Sequence, residues 1–185
     1  MRLRLAWTLA VAVALASGAC SKDEKPPDVA TIVGQLRDPK PEVRTAAVLQ
    51  ILSIGEPATA PLVELLRDPE PHVRASAAQT IWSLGVKAKA ALPAMSQALK
   101  DSSKEVRLAA AMFLEALGAE AAPAVPVLID ALRDPEWDVR QHVIKTLGNI
   151  GPEASAAVPK LLEIGKDELM RGAANEAVTK IQAPR

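Results

Sequence analysis

The chain has 185 residues, long enough for one domain with a hydrophobic core. Hydrophobic residues make up 49% of it and aromatic residues only 2%, so the apolar mass is aliphatic, which favours helices over sheets. The formal net charge is zero, which excludes a global field for attracting nucleic acid, and the single cysteine excludes an internal disulfide and a cysteine-cluster metal site.

The first 20 residues, MRLRLAWTLAVAVALASGAC, have the three zones of a secretory signal. A basic start precedes an apolar run over 5–16, which is too short for a transmembrane helix, and small residues then lead to Cys20. This end resembles the lipobox of bacterial lipoproteins, in which the cysteine is acylated and becomes the new N-terminus, although Ser17 stands where leucine is commonest. Ordinary cleavage after Ala19, which leaves a soluble protein, is the alternative.

The domain boundaries follow from this reading. Residues 1–19 are the predicted signal peptide, 20–27 form a polar, proline-ended tether, and 28–182 form the folded domain. Lipid attachment at Cys20 predicts a protein of the bacterial cell envelope that is anchored to a membrane. The periplasmic face of the outer membrane is the expected address, because no aspartate follows the cysteine, and a soluble periplasmic or secreted protein is the alternative.

One phrase recurs along the rest of the chain, as LRDPKPEVR, LRDPEPHVR, LKDSSKEVR and LRDPEWDVR. Its aspartates are spaced by 30, 33 and 33 residues, and Asp167 continues the series after another 33. An arginine follows six residues after each of the first four aspartates, and a glycine follows eleven residues after each arginine. A fixed period of this size predicts stacked supersecondary units.

Each unit has the pattern of two helices. After each arginine, apolar residues recur at offsets 3, 7 and 10, which gives one helical stripe, and the glycine then suits a left-handed C-terminal cap. No proline falls inside these second helices, and Pro93 and its equivalents either begin or kink the first helices. The repeated phrase supplies the turn between the two helices. The predicted hairpins span about 28–55, 57–85, 88–118, 121–151 and 154–182.

The order of proline, aspartate, valine and arginine within the unit resembles the HEAT repeat in its short bacterial form. The signatures of ankyrin and tetratricopeptide repeats, which share this period, are absent. The resemblance covers 28–182 and implies an all-α fold, a right-handed α-solenoid of five HEAT-like helical hairpins. The end units depart from the pattern, with Ala30 in place of proline and Arg171 only four residues after Asp167, as suits capping units that have one neighbour.

The same resemblance implies a structural role for the repeated aspartates and arginines. They are expected to form a ladder of hydrogen bonds and ion pairs between successive units, in which the arginine fork serves a carboxylate and turn carbonyls together. Each aspartate is also suited to cap the following helix. The predicted ladder residues are Asp38, Arg44, Asp68, Arg74, Asp101, Arg107, Asp134 and Arg140.

No constellation of catalytic or metal-binding residues stands out. His72 and His142 fall far apart in the array, and the sequence lacks the His-Glu pairs of the HEAT-like iron hydroxylases, a G-x-S-x-G motif and a phosphate loop. Export and the scarcity of aromatic residues argue against the bilin lyases, which also contain short HEAT-like repeats. Lysines lie at opposite ends of the helices and cannot form one basic groove. We therefore expect no enzyme, no cofactor, no metal and no nucleic acid partner.

HEAT arrays line their concave face with the second helices, and offsets 1, 5 and 8 from each arginine point away from the core stripe. In the first three units these columns contain large apolar residues, and in the last two they are polar or small. The predicted partner-binding residues are Leu49, Leu52, Trp82, Leu108 and Met112. Trp82 is the expected anchor of this patch, unless the array is tightly curved and the side chains pack against one another.

The sequence thus predicts a non-catalytic, membrane-anchored scaffold that binds a protein or peptide partner on its concave face. The alternative is a non-catalytic helper or assembly subunit of an envelope enzyme complex. The oligomeric state is left open.

Overall fold

The computed structural model describes residues 28–183, so the predicted signal peptide, Cys20 and the tether lie outside the described residues. Within this range the chain forms ten α-helices and no strand, arranged as five helical hairpins, and the predicted all-α solenoid is confirmed. The first helices are α1 (Val29–Gly34), α3 (Thr59–Leu65), α5 (Leu92–Ala98), α7 (Val125–Ala131) and α9 (Val158–Ile164). The second helices are α2 (Pro41–Ile54), α4 (Pro71–Leu84), α6 (Lys104–Leu117), α8 (Trp137–Ile150) and α10 (Glu168–Gln182).

The core runs along the whole array between the two layers of helices. The apolar residues at offsets 3 and 7 from the first four arginines are completely buried, which places one stripe of each second helix against its own first helix and its neighbours. In the first unit the flanking residues Val43 and Ile54 are only half-buried, because α2 has a neighbouring unit on one side alone.

Proline begins the first helices and does not kink them. Pro93, Pro126 and Pro159 are the second residues of α5, α7 and α9, where a missing N–H breaks no hydrogen bond of the helix. A seven-residue 3-10 segment precedes each of these helices. Each of the last three units therefore comprises a seven-residue 3-10 connector, a short first helix, the Asp turn and a second helix.

The glycines at the ends of the second helices adopt a different conformation from the one predicted. Gly55, Gly85, Gly118 and Gly151 have φ between 55° and 78°, but their ψ values lie between −126° and −142°. This is the mirror image of the β region, which is open to glycine and closed to residues with a Cβ, so the expected left-handed helical cap is wrong. The extended geometry directs the chain straight into the next 3-10 connector.

The first unit also differs in its connector. Between α2 and α3 lie only four residues, Gly55 and the 3-10 segment Glu56–Ala58, whereas each later connector has seven residues including its glycine. This deletion accounts for the spacing of 30 between Asp38 and Asp68.

One stretch, Lys104–Ala131, is long and apolar enough by composition to cross a membrane. It comprises α6, a 3-10 connector and α7, and the chain turns at Gly118. Phe113, Leu114 and Leu128 of this stretch are completely buried within the array, so we treat α6 and α7 as helices of the solenoid core.

Candidate functional site

The two inner rungs of the ladder are bidentate ion pairs between successive units. Arg74 donates from Nε and Nη2 to the carboxylate of Asp101, both at 2.8 Å. Arg107 donates in the same way to Asp134, at 2.7 and 3.2 Å. A third nitrogen of each arginine donates to carbonyls of its own turn, as Nη1 of Arg74 does to the carbonyl of Asp68 at 3.0 Å. One guanidinium therefore joins its own turn to the turn of the next unit.

The aspartates close turns more often than they cap helices. In the first four turns one carboxylate oxygen accepts the backbone N–H two residues later, such as the N–H of Ser103 on Asp101 at 2.8 Å. The second helices of these four units begin three residues after the aspartate, so the N–H that its carboxylate accepts belongs to the turn and not to the first turn of the helix. Asp167 differs, since it directly precedes α10 and caps it by accepting the N–H of Leu169.

These bonds alter the pKa values of the ladder groups. The N–H of Glu70 and the guanidinium of Arg37 lower the pKa of Asp68 despite its burial. Burial alone would raise the pKa of Asp101, but the hydrogen bonds from Arg74 and from the N–H of Ser103 outweigh it and lower that pKa. The hydrogen bond to Asp101 raises the pKa of Arg74, so this pair stays ionised at neutral pH.

The ladder changes partner at its two ends. Asp68 accepts from Nε of Arg37 at 2.6 Å, and among the described residues Arg44 binds only the carbonyls of Asp38 and Pro39 in its own turn. Arg140 likewise binds the carbonyls of its own turn, and within residues 28–183 it forms no ion pair with a carboxylate. Arg37 was missed from the sequence, although the basic residue that precedes Asp in every phrase was a visible signal.

A cavity of about 340 Å³ lies on the face carried by the second helices, between α4 and α6. We call it the α4–α6 cavity. Trp82, Leu108 and Met112, three of the five predicted partner-binding residues, line it together with Val48 of α2. Its other lining residues are small or polar: Ser76, Gln79, Thr80, Ser83, Glu105 and Ala109. Small side chains between α4 and α6 leave this space open, and the indole of Trp82 remains 38% exposed beside it.

The two other predicted residues lie outside this cavity. Leu49 projects from α2 with 62% of its surface exposed, and Leu52 packs half-buried against the core. The structure therefore brings the predicted residues of α4 and α6 together in one cavity and leaves the two predicted residues of α2 outside it. Val48, which was not predicted, is the residue of α2 that lines the cavity. Trp137, at the start of α8, is exposed and does not line the cavity.

Among the residues that the structure describes, Glu105 is the one charged side chain that lines the cavity. The hydroxyl of Ser103 donates to its carboxylate at 2.6 Å and lowers its pKa, so the group is ionised at neutral pH. Within residues 28–183, no lysine or arginine nitrogen forms an ion pair with it, because Arg107 is bound to Asp134. The cavity thus combines an apolar wall with one carboxylate that forms no salt bridge within the described range.

A second polar contact on this face joins α6 and α8. Nδ1 of His142 lies 2.5 Å from Oε2 of Glu115, and both side chains are about a quarter exposed. The sequence offered no His-Glu motif, since the two residues are 27 positions apart and meet only through stacking of the units. In residues 28–183 no group of three or more His, Cys, Asp or Glu side chains is placed to hold a metal ion.

A family model of HEAT repeats matches residues 6–81, 59–125 and 97–179. A designed armadillo repeat protein in complex with the peptide (KR)4 is similar in structure, with a TM-score of 0.66 and 20% identity over 83% of this chain and 82% of that one. The complex of CpcE and CpcF of phycocyanin lyase from Nostoc sp. PCC7120 gives a TM-score of 0.65 and 20% identity over 80% and 96%. Computationally designed armadillo repeat proteins for modular peptide recognition give 0.64 and 23% over 83% and 82%. No curated protein matches the chain.

Proposed function

Because the chain belongs to the HEAT-repeat family, we propose that it is a non-catalytic scaffold that holds a protein or peptide partner near a membrane. The α4–α6 cavity is the observation that carries this proposal, since an apolar cleft beside a half-exposed tryptophan has the anatomy of a binding hot spot. The peptide-binding designed armadillo protein with a similar fold supports a peptide as partner. Cys20 is the proposed point of lipid attachment.

The partner-binding role is tested by crosslinking in the native envelope followed by mass spectrometry. Trp82→Ala combined with Met112→Ala removes two walls of the cavity, and we expect it to abolish the main crosslinked partner while the protein remains folded. Trp137→Ala is the matched control, because it removes an exposed indole that does not line the cavity. An unchanged set of partners in the double variant would contradict the proposal.

The anchor is tested separately by metabolic labelling with a fatty-acid probe. The natural chain should incorporate the probe and fractionate with membranes, and Cys20→Ser should do neither. Equal labelling of both chains, or the absence of label from the natural chain, would contradict lipid attachment at Cys20. The alternative, a soluble exported protein, would then be favoured.

A helper subunit of an envelope enzyme complex is the second candidate. The similar structure found within phycocyanin lyase, a complex of two chains, favours it. Recovery of one defined enzyme with the natural chain would favour the helper, whereas recovery of several unrelated peptides would favour the scaffold.

A further inference from the structure

The dimensions of the α4–α6 cavity limit the shape of its occupant. Glu105 stands two residues before Arg107, and Trp82 stands eight residues after Arg74, the equivalent arginine of the preceding unit. Because the two helices carry their arginines in register, these side chains lie about ten positions, or roughly 15 Å, apart along the helix direction. An extended peptide rises about 3.3 Å per residue, so roughly four to five residues span the cavity.

The two ends of the cavity differ in chemistry. At the end near the start of α6, the ionised carboxylate of Glu105 forms no salt bridge within residues 28–183. The charges of Lys104 and Arg107 also lower its pKa, but neither residue lines the cavity. Glu42 and Asp138 occupy the same register at the starts of α2 and α8 and are also exposed, whereas His72 occupies it at the start of α4. At the other end, Trp82 and Met112 offer an apolar wall with an exposed indole.

From this polarity we infer that the cavity binds an extended peptide segment with arginine or lysine at one end and a bulky apolar residue four or five positions away. The basic group faces Glu105, and the apolar side chain packs against Trp82 and Met112. The inference rests on the proposed function and adds the chemistry of the partner. A basic group is favoured over an acidic one because like charge beside Glu105 is costly and a guanidinium binds a carboxylate in two places.

The test uses the full-length chain in detergent micelles and fluorescein-labelled synthetic peptides, measured by fluorescence anisotropy at about 0.1 M salt, where charge is not fully screened. The probe peptide places arginine and phenylalanine four residues apart in a glycine-serine background. Three matched peptides replace arginine by glutamate, replace phenylalanine by serine, or bring the two residues next to each other. We expect the probe to bind at least tenfold more tightly than each of the three.

Protein variants separate the two ends of the cavity. Glu105→Gln should bring the affinities for the arginine and glutamate peptides within about twofold of each other, while Met112→Ala should weaken both peptides alike. Glu105 is exposed, so its variant is expected to fold, and Glu64→Gln on α3 is a control carboxylate away from the cavity. Equal affinity of the natural chain for the arginine and glutamate peptides, or no binding of any peptide, would overturn the inference.

Failure of this inference is distinguishable from failure of the proposed function. If the peptides show no charge preference but the envelope crosslink still depends on Trp82 and Met112, the scaffold stands and the basic-apolar partner is wrong. If the crosslink is also independent of these residues, both are wrong.

Discussion

At the scale of single residues, the repeated arginine acts as a joint between turns. Nε and Nη2 of Arg107 bind Asp134 in the next unit while Nη1 binds the carbonyl of Asp101 in its own turn, and the side chain is 12% exposed. A lysine could not reproduce this fork, since its single nitrogen cannot serve two acceptors in a fixed plane. The geometry gives the guanidinium a role in stacking and leaves none of its nitrogens directed to a substrate.

We expect Arg107→Ala to destabilise the fold by about 3 kcal/mol, because it leaves the carboxylate of Asp134 buried without its cation. For a chain of this size that corresponds to a fall of roughly 6–12 °C in melting temperature, measured by circular dichroism. Arg67→Ala is the control, since its pair with Glu64 at 3.7 Å is exposed and should contribute less than about 1 kcal/mol. A melting temperature unchanged by Arg107→Ala would show that the rung does not stabilise the array.

The lowered pKa values of Asp68 and Asp101 predict acid sensitivity. An ordinary aspartate has a pKa of about 3.9, and a carboxyl with a lower folded-state pKa binds its proton in the unfolded chain first. Stability from these groups is therefore complete above about pH 5 and is lost as the pH falls through their folded pKa values. Urea unfolding between pH 6 and pH 3 should show this loss.

The same pH series on Asp101→Asn isolates one rung. This variant should be less stable at neutral pH, and its free energy of unfolding should fall less steeply with acid because one titrating group has been removed. Identical slopes in the natural chain and the variant would exclude Asp101 as a source of the acid sensitivity.

At the scale of helices, close packing of α8 on α10 depends on a residue without a side chain. A Cβ at Gly148 would lie 3.0 Å from the Cα and 3.2 Å from the Cβ of Ala177, tighter than nine in ten real Cβ contacts, so α10 would have to give way by a few tenths of an ångström. Gly148 falls in the column at offset 8, where Trp82 lines the cavity of an earlier unit. The same position of the repeat therefore has different roles in two units. Trp82 lines a cavity between α4 and α6, whereas Gly148 allows α8 and α10 to pack closely.

We expect Gly148→Val to destabilise the fold by about 1–3 kcal/mol, because α8 and α10 must move apart. Gly172→Ala on α10 is the matched control and should stabilise the fold. A Cβ added at Gly172 would meet nothing within 4 Å, and alanine favours a helix over glycine by up to about 1 kcal/mol. Chemical denaturation of the two variants should give changes of opposite sign. Equal changes would mean that the packing of the two helices is not limiting.

At the scale of the whole array, the first unit is set apart by its short connector. Three residues fewer between α2 and α3 accompany the replacement of Arg44 by Arg37 as the partner of Asp68. We attribute the exchange to the connector, because it is the element that fixes how far one unit is rotated from the next. Val48 of α2, on the other side of this junction, lines the α4–α6 cavity.

Double-mutant cycles test this account of the junction. In the natural chain, Arg37 and Asp68 should show a coupling energy below about 1 kcal/mol, since Arg37 is 54% exposed, and Arg44 and Asp68 should show none. Replacing Glu56–Ala58 by the sequence VKAKAA of the next connector should transfer the coupling from Arg37 to Arg44. Coupling that stays with Arg37 would show that another feature of the first unit sets the junction.

Much of the fold followed from spacing alone. The period near 33 and the apolar stripe at offsets 3 and 7 predicted the hairpins, because every second helix must bury the same stripe against its neighbours. The predicted left-handed helical conformation of the glycine caps was wrong. A glycine in the sequence indicates that a positive φ is tolerated, but it does not specify ψ. Arg37 was missed because a basic residue precedes Asp in every phrase, and the sequence does not show that the first of these residues reaches the turn aspartate of the next unit.

The sequence by itself determined the architecture of residues 28–183, the boundaries of the units and the residue types available on the second-helix face. Only the tertiary structure decided which of those residues meet: Trp82, Leu108 and Met112 in one cavity, Glu115 with His142, and Leu49 left exposed on α2. The physical reason is that periodicity sets the direction of a side chain from its own helix. The distance between helices is set by the side chains packed between them, which are small between α4 and α6 and absent at Gly148 between α8 and α10.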